Sequence, residues 1–214
     1  MKQKFDYKHI IWDWNGTLFN DSRLCIEILN GLLIKHKKPP ITLKFYQETF
    51  NFPVKNYYEK IGFSLESFKS VADEFIFEYE TRKINCSLQE GARQLLYFID
   101  NKGISQSVLS AYKQSPLEKI ISGFLLNSLF IKIKGNDNHY AAGKIEIGKE
   151  HINELKFQKN QIVIIGDTVH DYEVAKEIGI DCILIPSGHQ TKARLNATGA
   201  LVLESLRDIK NIIK

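Results

Sequence analysis

The chain is poor in cysteine, in long apolar runs and in charge of one sign. Its three cysteines in 214 residues, Cys25, Cys86 and Cys182, stand far apart and form no C-x-x-C pair. That spacing offers neither a disulfide framework nor a zinc site, and it fits a reducing, cytoplasmic setting. The richest apolar stretch, 120–133, is interrupted by Ser122, Gly123, Asn127, Ser128 and Lys132. It falls well short of the roughly 20 apolar residues of a membrane span. Met1 to Lys8 hold no apolar core of a secretion signal. Lys and Arg number 29 against 25 Asp and Glu, a net +4 spread along the chain. A nucleic-acid partner would call for a concentrated basic stripe, which is missing. Internal repeats and low-complexity tracts are missing too. A soluble cytoplasmic protein without nucleic-acid or membrane partners is expected, of undetermined oligomeric state.

Short apolar runs are present, and they recur with helix-like stretches between them. His9 to Trp12, Ile104 to Leu109, Gln161 to Ile165, Cys182 to Ile185 and Ala200 to Leu203 are each flanked by Gly, Asn, Asp or Ser. Apolar character that is continuous rather than alternating marks strands covered on both faces, as in a parallel sheet. The class is α/β, a doubly wound, mostly parallel sheet. Gly103 and Gly179 stand where helices should stop, and Ser87-Leu88-Gln89-Glu90 and Ser115-Pro116-Leu117-Glu118 read as capping boxes. About 90 residues separate the first two runs, far more than a crossover helix needs. The pattern there is helical over 21–37 and 64–82, broken at Lys38-Pro39-Pro40, and dense in Phe and Tyr. Residues 20–88 are therefore expected to form a helical cap domain with its own small core, and 1–19 with 89–214 the α/β core.

Three strand ends carry chemistry. Asp13-Trp14-Asn15-Gly16-Thr17-Leu18 follows the first run, where open α/β sheets place their ligands. Asp13 can serve there as a nucleophile or only as a turn residue; Gly16 permits a tight turn whose amides approach an anion, and Thr17 can brace it. Ser110 and Ala111 follow the second run, a hydroxyl and an amide suited to a phosphate oxygen or to a plain turn. Gly166-Asp167-Thr168-Val169-His170-Asp171 follows Ile162 to Ile165. Two carboxylates so spaced can hold a hard cation, and a helix N-cap accounts for only one of them. Lys144, in Ala142-Gly143-Lys144-Ile145, can balance the charge of a phosphate and these acids.

The ordered set Asp13-x-Asn15-Gly16-Thr17-Leu18, Ser110, Lys144 and Gly166-Asp167-x-x-x-Asp171 resembles the four motifs of the haloacid dehalogenase superfamily, in its phosphoglycolate-phosphatase-like branch. The resemblance spans nearly the whole chain, and the insert looks like that branch's helical cap. It implies a small phosphorylated metabolite as substrate and attack of Asp13 on phosphorus to give an aspartyl-phosphate. It also implies phosphate binding by Ser110, Ala111, Gly16, Thr17 and Lys144. Mg²⁺ would be held by Asp13, the Asn15 carbonyl and Asp167, supported by Asp171. Lys149 fits the implied spacing less well than Lys144.

One position departs from the resemblance: Asn15 stands where the family carries a second Asp that acts as acid and base. A carboxamide donates a hydrogen bond but transfers no proton at neutral pH. Such help is worth about 10² to 10⁴ in rate. Three readings follow. A specialised phosphatase would use good leaving groups or a substitute base, His170 or His189. A carbon–phosphorus hydrolase would need a cap lysine, with Lys35, Lys37, Lys38, Lys44, Lys55 and Lys60 available. A phosphate-binding or regulatory protein would keep the site without turnover. Arg82 and Lys55 are possible contacts for an anionic substrate.

Overall fold

The computed structural model describes residues 5–137 and 144–214. Among the described residues, eight strands run as β1 His9–Trp12, β2 Phe19–Asn20, β3 Ser87–Leu88, β4 Ser105–Lys113, β5 Lys132–Asn136, β6 Ile162–Gly166, β7 Asp181–Leu184 and β8 Leu201–Val202. Six of them form one sheet in the order β5-β4-β1-β6-β7-β8, every neighbouring pair parallel. The four residues of β1 and the five of β6 are all buried. Their side chains alternate between the faces: Ile10, Trp12, Val163 and Ile165 join one hydrophobic cluster, and Ile11, Ile162 and Ile164 the other. This two-sided burial explains why the strands read as unbroken apolar runs.

The chain leaves β1 toward β4 and β5 on one side, then crosses to β6, β7 and β8 on the other. The order reverses at β1, and the carboxyl ends of β1 and β6 flank the crevice where such sheets bind ligands. Helices α5 Ala92–Asn101, α6 Gln114–Gly123, α7 Ile145–Glu154, α8 Val169–Ile178 and α9 Lys192–Asn196 connect these strands. Gly179 caps α8 in the left-handed conformation, φ 78°, which relieves a side chain of the steric cost of that turn.

Between β2 and β3, which pair antiparallel, lie α1 Ser22–Lys35, α2 Leu43–Thr49, α3 Val54–Lys60 and α4 Phe68–Arg82. The aromatic residues of this insert do not form a separate core. Tyr46, Tyr57, Tyr58, Phe63 and Tyr79 belong to the same buried cluster as Ile10, Trp12 and Val163 of the sheet.

Two local expectations fail, and one strand goes unanticipated. Ser87 lies in β3 opposite Asn20, and α5 starts only after the left-handed Gly91, so 87–90 is not a capping box. Helix α6 is entered from Lys113, which places Ser115 inside it. Strand β5 lies at the end of a stretch too mixed in polarity to have been read as a strand, being an edge strand with one buried residue.

Candidate active site

Asp13 leaves the end of β1 with its amide still bonded to Ile165 of β6 at 2.9 Å, so the ladder extends to the reacting end of the sheet. Its Oδ1 accepts from Lys144 Nζ at 2.7 Å. The same ammonium forms an ion pair with Asp171 Oδ1. Lys149, the other lysine weighed from sequence, points outward to Glu146 and Glu177. Ala142 and Gly143, which precede Lys144 in its motif, lie outside the described residues.

Thr17 Oγ1 lies 3.1 Å from Asp13 Oδ2 and 2.9 Å from Asp167 Oδ1, and its single hydrogen can be donated to either. Asp167 Oδ2 accepts from the His189 amide at 2.6 Å. Asp171 does two jobs: Oδ2 accepts from the Thr168 amide and hydroxyl, closing a capping box at the start of α8, while Oδ1 faces Lys144. The sequence alternatives of N-cap partner and site carboxylate are thus both realised in one side chain.

Asp13, Asp167 and Asp171 each bring a carboxylate oxygen within 4.8 Å of the other two, and all three are buried. Three acids against one lysine leave this pocket with excess negative charge. Burial raises Asp13 to about 6, an effect opposed by Lys144. Burial and the neighbouring carboxylates push Asp167 up to about 8. Burial works against the charged form of Asp171 as well, but Lys144 outweighs it and holds that carboxyl low. These three clustered carboxylates, with one ammonium beside them, are a set that could hold a divalent cation.

The loop after β1 is held from several sides. Gly16 has φ 79°, and a Cβ there would overlap the Asp167 carboxylate and the His189 ring. Its carbonyl accepts from Gln89 Nε2 at 2.9 Å and Ser187 Oγ at 2.8 Å. Gly188 approaches from the β7 side, where a Cβ would meet the same carboxylate and the Gly16 backbone. Sequence reasoning passed over Gln89, Ser187 and Gly188; a Gly following a strand is a weak signal until the opposing loop is known. Ser110 and Ala111 lie where the β4–β5 register shifts, between Leu109 and Lys113, a break in pairing that frees them to face the crevice.

Asn15 Nδ2 donates to Asp21 Oδ2 at 2.8 Å and to Tyr79 Oη at 2.7 Å. Asp21, buried at the start of α1, also accepts from the Gly16 amide at 3.0 Å and stands 3.3 Å from His189 Nε2. Burial disfavours the charged His189, but Asp21 more than compensates and lifts it to about 9. His189 is therefore an imidazolium bound on both sides, its Nδ1 lying 2.8 Å from the Tyr46 hydroxyl. His170 is pinned differently: Nε2 accepts from the Lys144 amide at 3.0 Å, and burial lowers its pKa. Neither ring offers a free basic nitrogen.

A cavity of about 180 Å³ opens from Asp13, Asn15, Ser110, Ala111 and Lys144 toward rings of the insert. Lys35, Lys37, Lys38, Lys44, Lys55 and Lys60 do not line it, and Arg82 instead pairs with Glu27 at 2.8 Å.

Residues 10–185 match the family model of haloacid dehalogenase-like hydrolases. The chain belongs to that family. The fold of this hydrolase is similar to that of a haloacid dehalogenase-like family hydrolase from Streptococcus pneumoniae, with TM-score 0.84 and 18% identity over 96% of this chain and 98% of that one. It is similar to a predicted phosphatase from Clostridium acetobutylicum, with TM-score 0.83 and 18% identity over 96% and 98%. It is also similar to a predicted phosphoglycolate phosphatase from Haemophilus somnus, with TM-score 0.76 and 16% identity over 97% and 98%. At these identities the likeness concerns the fold. No curated protein sequence matches this hydrolase.

Proposed function

We propose that this hydrolase is a Mg²⁺-dependent phosphatase of small phosphomonoesters that works through an aspartyl-phosphate on Asp13. The observation that carries the reading is the buried Asp13 carboxylate at the end of β1, paired with Lys144 and clustered with Asp167 and Asp171. In this reading the cap is 20–88 and the core is 1–19 with 89–214. Three free cysteines fit a cytoplasmic setting.

Asp13, the Asn15 carbonyl and Asp167 would hold the metal, with Asp171 supporting, and the ion would supply positive charge against the phosphoryl oxygens. Asp13 attacks phosphorus and the ester oxygen leaves. Lys144, the Ser110 hydroxyl and the amides of Ala111, Gly16 and Thr17 bind the phosphoryl oxygens as charge develops on them. Water then attacks the aspartyl-phosphate and restores Asp13. Asn15, bonded to Asp21 and Tyr79, transfers no proton in either half of the cycle. The lack of an insert lysine among the described cavity-lining residues speaks against carbon–phosphorus cleavage through a Schiff base.

Phosphate release from a panel of phosphomonoesters and acyl phosphates, with and without Mg²⁺, tests this directly. Asp13→Asn is expected to abolish release. Activity persisting in that variant would remove Asp13 as nucleophile, and phosphate binding without release from any substrate would establish the binding-protein reading instead.

A further inference from the structure

The geometry points to substrates whose alcohol is a single uncharged aromatic ring, so that the phosphatase proposed above, on which this inference rests, acts on small aryl phosphates. Two independent features converge on that class, the wall of the cavity and the chemistry of Asn15.

The insert supplies Phe50, Phe52, Tyr57, Tyr58, Phe68 and Phe75 to the cavity wall. Among the described residues it supplies no Lys, Arg or His, and its charged contributions, Asp21 and Glu80, are acidic. The cations of the lining, Lys113, Lys144 and His189, belong to the core; Lys144 is already paired with Asp13 and Asp171, and His189 with Asp21. A carboxylate on the leaving group would leave water for aromatic rings and two like charges, an unfavourable exchange. An uncharged ring would meet edges and faces of its own kind. Size sets the limit. Apolar cavities of about 150 Å³ accept benzene, so about 180 Å³, part of it at Asp13, Ser110 and Lys144, suits one ring better than a nucleoside or a fused polycycle.

Asn15 has no proton to give the departing oxygen. A phenol titrates at about 10, as tyrosine does, whereas aliphatic hydroxyls titrate far higher, close to water. A phenolate therefore leaves unaided where an alkoxide requires an acid. The step balances without one. Asp13 Oδ forms a bond to phosphorus, the P–O(aryl) bond breaks, and phenolate departs with the electron pair. Water then attacks phosphorus, cleaving the Asp13–phosphate bond. The protons of that water and of solvent reach phenol and inorganic phosphate.

The full chain with Mg²⁺ should be assayed on phenyl phosphate, substituted phenyl phosphates, free phosphotyrosine, 2-phosphoglycolate and acetyl phosphate. Phenyl phosphate is expected to exceed 2-phosphoglycolate in kcat/KM by on the order of 100-fold, the size of burying one ring, and to exceed phosphotyrosine, whose ammonium and carboxylate must leave water for a wall made mostly of aromatic rings. Rates should fall as the pKa of the leaving phenol rises. Without metal, phenol should bind by calorimetry and glycolate should not. Turnover of 2-phosphoglycolate or acetyl phosphate that Asp13→Asn abolishes, with phenyl phosphate inert, would overturn the aryl assignment and leave the phosphatase reading intact. Release from none of these esters would sink the phosphatase reading and this one with it.

Discussion

Asn15 and Asp21 are joined by a hydrogen bond of 2.8 Å from the Asn15 amide to the Asp21 carboxylate. The amide also reaches Tyr79, and Tyr79 in turn donates to Asp21 at 2.7 Å, so half-buried Asn15 and the two buried residues close a small polar network. Asn15 is therefore fitted to its neighbours as a donor. Restoring the family's Asp at this position would set a carboxylate against a carboxylate. Asn15→Asp is expected to cost on the order of 1–3 kcal/mol of stability and to bring little turnover by itself. Asn15→Asp combined with Asp21→Asn should recover part of that loss. Urea unfolding of both singles and the double checks it, and additive effects would show the pair to be uncoupled.

Metal binding has a readout apart from turnover. Burial raises Asp167 to about 8, so the metal-free protein favours its protonated form over much of the neutral range. Mg²⁺ requires the ionised form and should displace that proton. Calorimetry should show tighter Mg²⁺ binding at pH 8 than at pH 6, with proton release, and Asp167→Asn should remove both the binding and the accompanying rise in Tm. Binding that is equally tight at the two pH values would mean that Asp167 is already ionised at pH 6, and binding unchanged in Asp167→Asn would exclude it as a ligand.

Two histidines far from the reacting end are expected to make folding acid-sensitive. Ser107 Oγ lies 2.7 Å from Nε2 of His9 and 2.7 Å from Nε2 of His151, all three residues being buried. Burial depresses His9 to about 4 and His151 to about 3. A depressed histidine contributes stability that is present above its unfolded value of about 6.5 and is lost as pH falls through the folded value. For His9 alone the contribution is ~3 kcal/mol, and charging one ring makes the second harder to charge. Stability from urea unfolding should therefore decline between about pH 6.5 and 4. His9→Gln should flatten the decline, and a wild-type profile already flat over that window would contradict the assignment.

Gly188 and Gly16 face each other across Asp167 with no room for a Cβ on either. Gly188→Ala is expected to shift the Asp167 carboxylate, lower phosphate release at least tenfold and cost about 1–3 kcal/mol of stability. Phosphate release and thermal melting measure both effects. Wild-type values in both would mean that the loops move apart without consequence for the site.

The sequence by itself determined the class of the fold. Ile10 to Trp12 and Ile162 to Ile165 are apolar without interruption because both sheet faces are covered, and that pattern survives in any one-dimensional reading. It also singled out Asp13, Ser110, Asp167 and Asp171, because a chemical residue just past a buried strand is visible in order and type, and Lys144 at the start of a helix. What it could not contain were relations between distant loops. Gln89 and Ser187 converge on the Gly16 carbonyl from 73 and 171 residues away. Asp21 and His189 pair across the crevice, and rings that read as the core of an independent insert line a cavity shared with Asp13. Strand runs and turn residues are local consequences of burial and backbone sterics. Which carboxylate meets which amide, and whether a ring faces core or substrate, depends on the closure of the insert over the sheet, which only the tertiary structure decides.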